Sequence, residues 1–244
     1  MDFEYALITN CGDRKVNEDT AKVFEGNGCA CFVVCDGLGG HGMGDVASAL
    51  VADVFGNMFS LYAEADADSF LEKAFNASQD ILLAKQKSDG VLNKMKTTAA
   101  AVMINDKNVY IGHIGDSRVY VFKDNAVSFQ TLDHSFSQML VFTDEISSDE
   151  IRNHPDRNIL LKALGNEREN DMFEFQLPIS IGDCQALLLC SDGFWELINE
   201  EEMCKCLASC TDADSWLQSM TQIVRKNGEN RNMDNYSAIA FFLK

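Results

Sequence analysis

Cys29-Ala30-Cys31-Phe32-Val33-Val34-Cys35 is the longest unbroken apolar run in the chain, and it leads into Asp36-Gly37-Leu38-Gly39-Gly40-His41-Gly42. A short apolar run bounded by glycine reads as a strand buried on both faces. Side chains alternate along a strand, so Cys29, Cys31 and Cys35 share one face and read as small buried hydrophobes. Zinc ligands sit on tight turns instead, which also argues against a zinc site at Cys204-Lys205-Cys206. The strand ends in the Asp36 carboxylate, which the sheet would hold rigidly. Four of the next six residues are glycine, so the backbone there can approach a ligand closely or take φ > 0.

The same grammar of apolar strand, Asp and Gly recurs at Ala186-Leu-Leu-Leu-Cys190-Ser191-Asp192-Gly193. It recurs more loosely at Ile111-Gly-His-Ile-Gly115-Asp116-Ser117-Arg118. Asn17-Glu18-Asp19 opens a strand near the N-terminus, and Asp234-Asn235 precedes the C-terminal one. Each of these alone is an ordinary turn. Carboxylates gathered in one site, however, raise one another's pKa and cannot all ionise. Divalent cations remove that conflict, and an all-oxygen donor set suits Mg²⁺ or Mn²⁺. The residues therefore point to a two-metal hydrolytic centre.

Outward from these motifs, apolar residues at helical spacing predict helices over Ala47–Phe59, Phe70–Leu82 and Trp216–Val224, with a shorter piece around Ser148–Asn153. Asp45, Asp68 and Asp214 are the expected N-caps. Strands are predicted over 3–9, 20–25, 30–35, 97–105, 108–114, 118–123, 126–132, 172–178, 186–190 and 236–243. Asn105–Asn108 and Lys123–Ala126 read as hairpin turns, so consecutive strands pair antiparallel. Long helices between groups of antiparallel strands indicate an α+β layered fold. Two prolines and no low-complexity linker favour one domain across residues 1–244.

Composition narrows the function. The chain carries 20 Lys+Arg against 38 Asp+Glu, a net charge of −18, which disfavours nucleic acid and anionic lipid as partners and favours cations. An acidic N-terminus without a signal pattern and nine scattered cysteines, an odd number in no paired framework, lead to the expectation of a reducing, cytoplasmic setting. No Cys-x5-Arg cradle occurs, so a cysteine phosphatase is excluded.

The ordered motifs resemble the PP2C-like (PPM) family of metal-dependent protein serine/threonine phosphatases, in its bacterial form. The match runs through Arg14 with Asn17-Glu18-Asp19, Asp36-Gly37-x-Gly-Gly-His41, Thr97-Thr98-Ala99, Gly115-Asp116-Ser117-Arg118, Leu132-Asp133-His134-Ser135, Asn158 through Ala163-Leu164-Gly165, Ser191-Asp192-Gly193 and Asp234-Asn235. The resemblance implies a four-layer α/β/β/α sandwich of two antiparallel sheets flanked by helices. It implies that Asp36 bridges two Mn²⁺ or Mg²⁺ ions, that the Gly37 carbonyl joins one of them, and that Asp192 and Asp234 complete the set. Glu18 and Asp19 would act through water, Asp116 would hold a third, weaker ion, and Arg14 would take the substrate phosphate. Residues 136–157 would form a flap over the site.

The implied reaction is hydrolysis of phosphoserine and phosphothreonine on proteins by direct attack of a metal-activated water. The implied partners are phosphorylated proteins, among them a Ser/Thr kinase and its substrates, met by a monomer. The alternatives are a pseudophosphatase that only binds phosphoproteins, and a small-molecule phosphatase with the same metal pair. One departure matters: Leu38 stands where many relatives carry a histidine general acid. His41 or a metal-held water would then have to supply the proton. His134 reads as structural, and Arg118 as paired with a local carboxylate.

Overall fold

Each central strand buries both faces, and its alternation sorts residues into layers. In the computed structural model, which describes residues 2–26, 28–38, 42–62, 67–167 and 171–244, β3 (Cys29–Leu38) turns Ala30, Phe32 and Val34 to one side and Cys31, Val33 and Cys35 to the other. The first set packs between two sheets. The second lies under α1 (Gly44–Tyr62) and α2 (Ala67–Asp89). Cys31 and Cys35 are thus core residues, as their alternation predicted, whereas Cys29 is only half-buried against the same cluster; none of the nine cysteines is in a disulfide.

One sheet contains β2 (Asp19–Gly26), β3, β5 (Ala99–Ile104) and β6 (Asn108–Ile114) in the order β2-β3-β5-β6, with β10 (Ile179–Ser180) and β9 (Glu174–Phe175) on β6 and β4 (Lys96–Thr97) on β3. The other runs β1-β12-β11-β7-β8, from β1 (Phe3–Asn10), β12 (Tyr236–Leu243), β11 (Ala186–Cys190), β7 (Arg118–Lys123) and β8 (Ala126–Gln130). All named pairs are antiparallel. Leu187, Leu189, Ile239 and Phe241 meet Phe32 and Val102 between the sheets, where Phe32 and Phe241 contact edge-to-face at 5.6 Å. On the far side Leu188, Cys190, Ala240 and Phe242 pack on α5 (Glu200–Ser209) and α6 (Ala213–Gly228). The layers are helices, sheet, sheet, helices, as the sequence implied.

Several local expectations change. The predicted strand 172–178 survives only as β9, with β10 beyond it. Pro178 lies between them and cannot donate to the ladder. The third predicted helix is capped by Asp212, whose carboxylate accepts from the Ser215 N–H at 2.8 Å, not by Asp214. Asp45 lies in the first turn of α1, and the side chain of Asp68 is outside the described residues. Three α-helices of the described residues were missed, among them the single turn Asp192–Trp195. The α3 helix (Phe136–Phe142) is capped by Ser135, and α5 by an Asn199/Glu202 capping box legible as N-x-x-E in the sequence. Cys204 and Cys206 sit two apart on α5 and so point to different faces, which disposes of a zinc pair.

Antiparallel pairing brings the end of β3, the start of β2, the β6–β7 connection, the end of β11 and the start of β12 to one edge of the sandwich, as the register Asp19↔Asp36 illustrates. Backbone there is crowded. A Cβ on Gly37 would lie 2.6 Å from the Glu18 carbonyl oxygen and closer still to that of Gly44. Both are backbone atoms and cannot swing aside. Gly37→Ala is expected to cost about 3 kcal/mol by overpacking, read as a lower urea midpoint at unchanged m-value.

Candidate metal centre

The motif residues converge on one cleft of about 570 Å³, lined by Arg14, Glu18, Asp36, Gly37, Asp116, Asp192 and Asp234, with Val16, Leu38, Asn158, Leu160 and Asn235 completing its walls. Asp36 is positioned by its backbone. Its N–H donates to Thr98 Oγ1 at 2.9 Å, while its carbonyl accepts from the Thr98 N–H and from Thr97 Oγ1, each at 2.8 Å. The Thr97-Thr98 pair thus clamps the strand end that carries the carboxylate. Thr98 Oγ1 also lies 2.7 Å from Ser117 Oγ, tying that clamp to the turn bearing Asp116.

The other sheet supplies the opposing acids. Asp192 is the first residue of α4 (Asp192–Trp195), and Asp234 precedes β12. Their carboxyls are set by neighbours. Asp234 Oδ1 accepts from the Asn235 N–H at 2.8 Å, and its Oδ2 accepts from Arg14 Nη2 at 2.7 Å. Asn235 fastens the N-terminal loop, because its Oδ1 accepts from the Glu18 N–H at 2.8 Å and its Nδ2 donates to the Cys11 and Val16 carbonyls at 3.0 Å. Ser191 Oγ donates to Asp19 Oδ2 at 2.7 Å and accepts from the Ser237 N–H at 3.0 Å.

This crowding disturbs protonation. Burial first, then the charges of Asp192, Asp19 and Asp116, hold the Asp36 carboxyl well above the ordinary carboxylate range. Asp116 is raised strongly by burial and by Asp192 and Asp133. Asp192 is raised by burial and by Asp234, although a hydrogen bond with Asp36 works against this. Burial and the neighbouring Asp192 and Asp234 push Asp19 up to about 7, despite its hydroxyl partners. Glu18 is raised by burial and by Asp45 and Asp234.

Whether cations fit can be judged from the donors themselves. Asp19 Oδ1 is buried with no hydrogen-bond partner, and the Asp36 and Asp192 carboxyls are close enough to share a hydrogen bond. A carboxylate oxygen without a donor and two carboxyls in mutual contact are costly in protein alone. Hard divalent cations satisfy both, and every donor is oxygen. The set fits Mg²⁺ or Mn²⁺.

Other expectations are met or changed here. Arg118 makes a bidentate pair with Asp133, 2.8 Å on each arm, as its expected local partner. His134 has a structural place: its N–H donates to the Gly115 carbonyl at 2.9 Å, and its Nδ1 accepts from the Gly115 N–H at 3.2 Å. Its ring stacks on His113, centroids 4.7 Å apart and 10° from parallel, and burial with His113 pushes its pKa down to about 3. Parallel stacked imidazoles cannot aim lone pairs at one ion, so the grouping of His113, His134 and Glu174 is read as packing. His41 lies outside the described residues. Sequence reading missed Val16 and Leu160 in the cleft walls and the tie of Arg157 Nε to Glu196 Oε1 at 2.6 Å, because neither residue type nor spacing marks such contacts.

A sandwich of this topology with a carboxylate cluster at one sheet edge defines a metal-dependent hydrolase. The protein phosphatase 2C family model matches residues 10–236, and the chain belongs to that family. It is 36% identical over 201 residues to the serine/threonine phosphatase Stp of Listeria monocytogenes serotype 4b, covering 80% of this chain and 79% of that one. Its fold superposes on the serine/threonine phosphatase Stp1 from Staphylococcus aureus with a TM-score of 0.89 at 28% identity, covering 100% and 96% of the two chains. The catalytic domain of the serine/threonine protein phosphatase PstP in complex with two manganese ions aligns at a TM-score of 0.81 and 25% identity, covering 98% and 97%.

Proposed function

We propose that this chain is a metal-dependent phosphatase acting on phosphoserine and phosphothreonine of proteins. The observation that carries this reading is the meeting of Asp36, Asp192 and Asp234 from two sheets in one cleft with Arg14 on its rim. Asp36, the Gly37 carbonyl, Asp192 and Asp234 would hold two divalent cations, Asp116 a third, and Glu18 and Asp19 would act through water. Bound Mn²⁺ or Mg²⁺ supplies Lewis acidity and acidifies a coordinated water.

The chain's own residues do the rest. Arg14 is half-exposed, and its pair with Asp234 is a surface contact of small net worth. Its planar fork can therefore turn to two oxygens of an entering phosphate, and cation binding to Asp234 favours that exchange. Val16, Leu38 and Leu160 add apolar wall to an otherwise polar, open cleft. Leu38 has no proton to give, so the leaving alkoxide must draw its proton from elsewhere in the cleft. Phosphoproteins, including a Ser/Thr kinase and its targets, are the proposed partners. Among the described residues no helix is long and apolar enough to cross a membrane, and nine free thiols support a reducing cytosol.

The test is turnover of a phosphothreonine peptide against a nucleotide panel, with and without Mn²⁺. Turnover of the peptide only with metal is expected. Binding without turnover would favour a phosphoprotein-binding pseudoenzyme, and preference for nucleotides a small-molecule phosphatase. Arg14→Ala is expected to raise KM for the peptide about tenfold, the loss of one charge-assisted contact, while Mn²⁺ binding by calorimetry stays near wild type.

A further inference from the structure

Asp116 reaches the cleft from the turn between β6 and β7. The position of the carboxylate follows the backbone of the turn. Gly115 takes φ +97° there, with Thr98 packed where a Cβ would stand, so the turn is tightly specified. Its carbonyl at Asp116 is held by one donor from outside the turn: the buried Trp195 indole N–H, at 2.9 Å.

Trp195 is itself immobilised. The Arg118 guanidinium lies 3.5 Å from its ring centroid, and Arg118 is fixed by Asp133 and by the Tyr120 hydroxyl at 3.1 Å. From the flap, Arg152 Nε donates to the Trp195 carbonyl at 3.2 Å, and Arg152 Nη2 donates to the Ile198 carbonyl at 3.2 Å and to Glu200 at 2.7 Å. Trp195 also ends the four-residue helix that Asp192 begins. One rigid turn of helix thus carries a cleft carboxylate at its start and the anchor of another at its end.

We propose that Trp195 is a positioning residue for Asp116, its indole N–H fixing the β6–β7 turn so that the Asp116 carboxylate meets a third cation in register with Asp192. This rests on the reading of Asp116 as the ligand of that weaker ion. A carboxylate that supplies one of few protein ligands must be placed to within a fraction of an ångström, and a buried carbonyl deprived of its donor will shift to find another. No other group in the described contacts offers the Asp116 carbonyl a hydrogen bond.

The chain has two tryptophans, which makes the test direct. The full chain labelled with 5-fluorotryptophan, which keeps the N–H, is titrated with diamagnetic Mg²⁺ and followed by fluorine NMR. The Trp195 resonance, identified by its loss in Trp195→Phe, is expected to move in the high-concentration phase that follows filling of the tight pair. The Trp216 resonance is expected to stay, because its N–H is held elsewhere, by the Met203 carbonyl at 3.2 Å. Asp116→Ala is expected to remove that movement.

In Trp195→Phe the Mn²⁺ concentration needed for the second phase of activation should rise about tenfold, the scale of one buried hydrogen bond. Calorimetric binding of the tight pair and KM for a phosphopeptide should be unchanged. A Trp195 resonance silent through the second phase overturns the proposal, and so does an unchanged second phase in Trp195→Phe when Asp116→Ala abolishes it. If Asp116→Ala itself keeps the second phase, the third-ion reading falls and the positioning role with it. Should Trp195→Phe fold poorly, the Trp195 resonance is identified instead by its shift in Arg152→Lys, since the Arg152 guanidinium lies 5.6 Å from the Trp195 ring centroid, and the fluorine titration of the parent still decides the matter.

Discussion

Asp36→Asn is expected to lower turnover of p-nitrophenyl phosphate with saturating Mn²⁺ by at least about a thousandfold, roughly 4 kcal/mol of barrier. The amide has nearly the same shape, and the backbone clamp by Thr97 and Thr98 does not involve the side chain, so the variant should fold. It should even be more stable than the parent in a chelator. In the metal-free protein the Asp36 charge faces burial and the charges of Asp192, Asp19 and Asp116, and the substitution removes that conflict. The measurement is a pair of thermal melts, with chelator and with Mn²⁺, beside the rate assay. The parent should gain more from Mn²⁺ than the variant does, since a ligand stabilises only the state that binds it. A variant that keeps wild-type turnover would remove Asp36 from the metal set.

The second large effect is on pH dependence, and Asp19 carries it. Its carboxyl is raised to about 7 in the folded chain from an ordinary value of 3.8, by burial and by Asp192 and Asp234. A carboxyl raised on folding leaves the native state holding the extra proton, so its stabilisation is present at low pH and is lost as pH climbs from about 4 through about 7. Three pKa units correspond to about 4 kcal/mol. Asp19→Asn keeps an acceptor for the Ser191 hydroxyl but cannot titrate. In chelator, the stability of the parent relative to Asp19→Asn is therefore expected to fall by roughly that amount between pH 4 and pH 8, as measured by urea unfolding at each pH. Saturating Mn²⁺ should flatten the difference, because the cations compensate the charges that burial penalises. A flat difference in chelator would mean that water reaches the Asp19 oxygen and relieves its burial.

The strands and layers were legible because both faces of β3, β11 and β12 are apolar and alternation alone assigns each residue a side. β9, β10 and α5 were harder to read. The first two are short and interrupted by Pro178, and α5 shows little apolar periodicity beyond Met203 and Leu207. The acids were legible by kind: strand, Asp and Gly in sequence mark a carboxylate at a sheet edge wherever the sheet lies. Asn235 and Trp195 were not. Asn235 stands in the Asp234-Asn235 motif, yet its bonds to Cys11, Val16 and Glu18 span more than two hundred positions.

Periodicity, turn chemistry and residue type are local properties, so the α+β layering, the side of the sheet each core residue takes, the identity of the acidic residues and the oxygen-only character of the donor set could all be read along the chain. Folding in three dimensions was needed to place Asp19, Asp36, Asp116, Asp192 and Asp234 at one edge of the sandwich, to leave Asp19 an unpartnered oxygen there, and to set the Trp195 indole on the turn bearing Asp116. Those facts depend on how two sheets are registered and faced together. Register is set by the summed packing of Phe32, Val102, Leu189, Ile239 and Phe241 between them, an energy shared by residues far apart in the chain and written in no single segment of it.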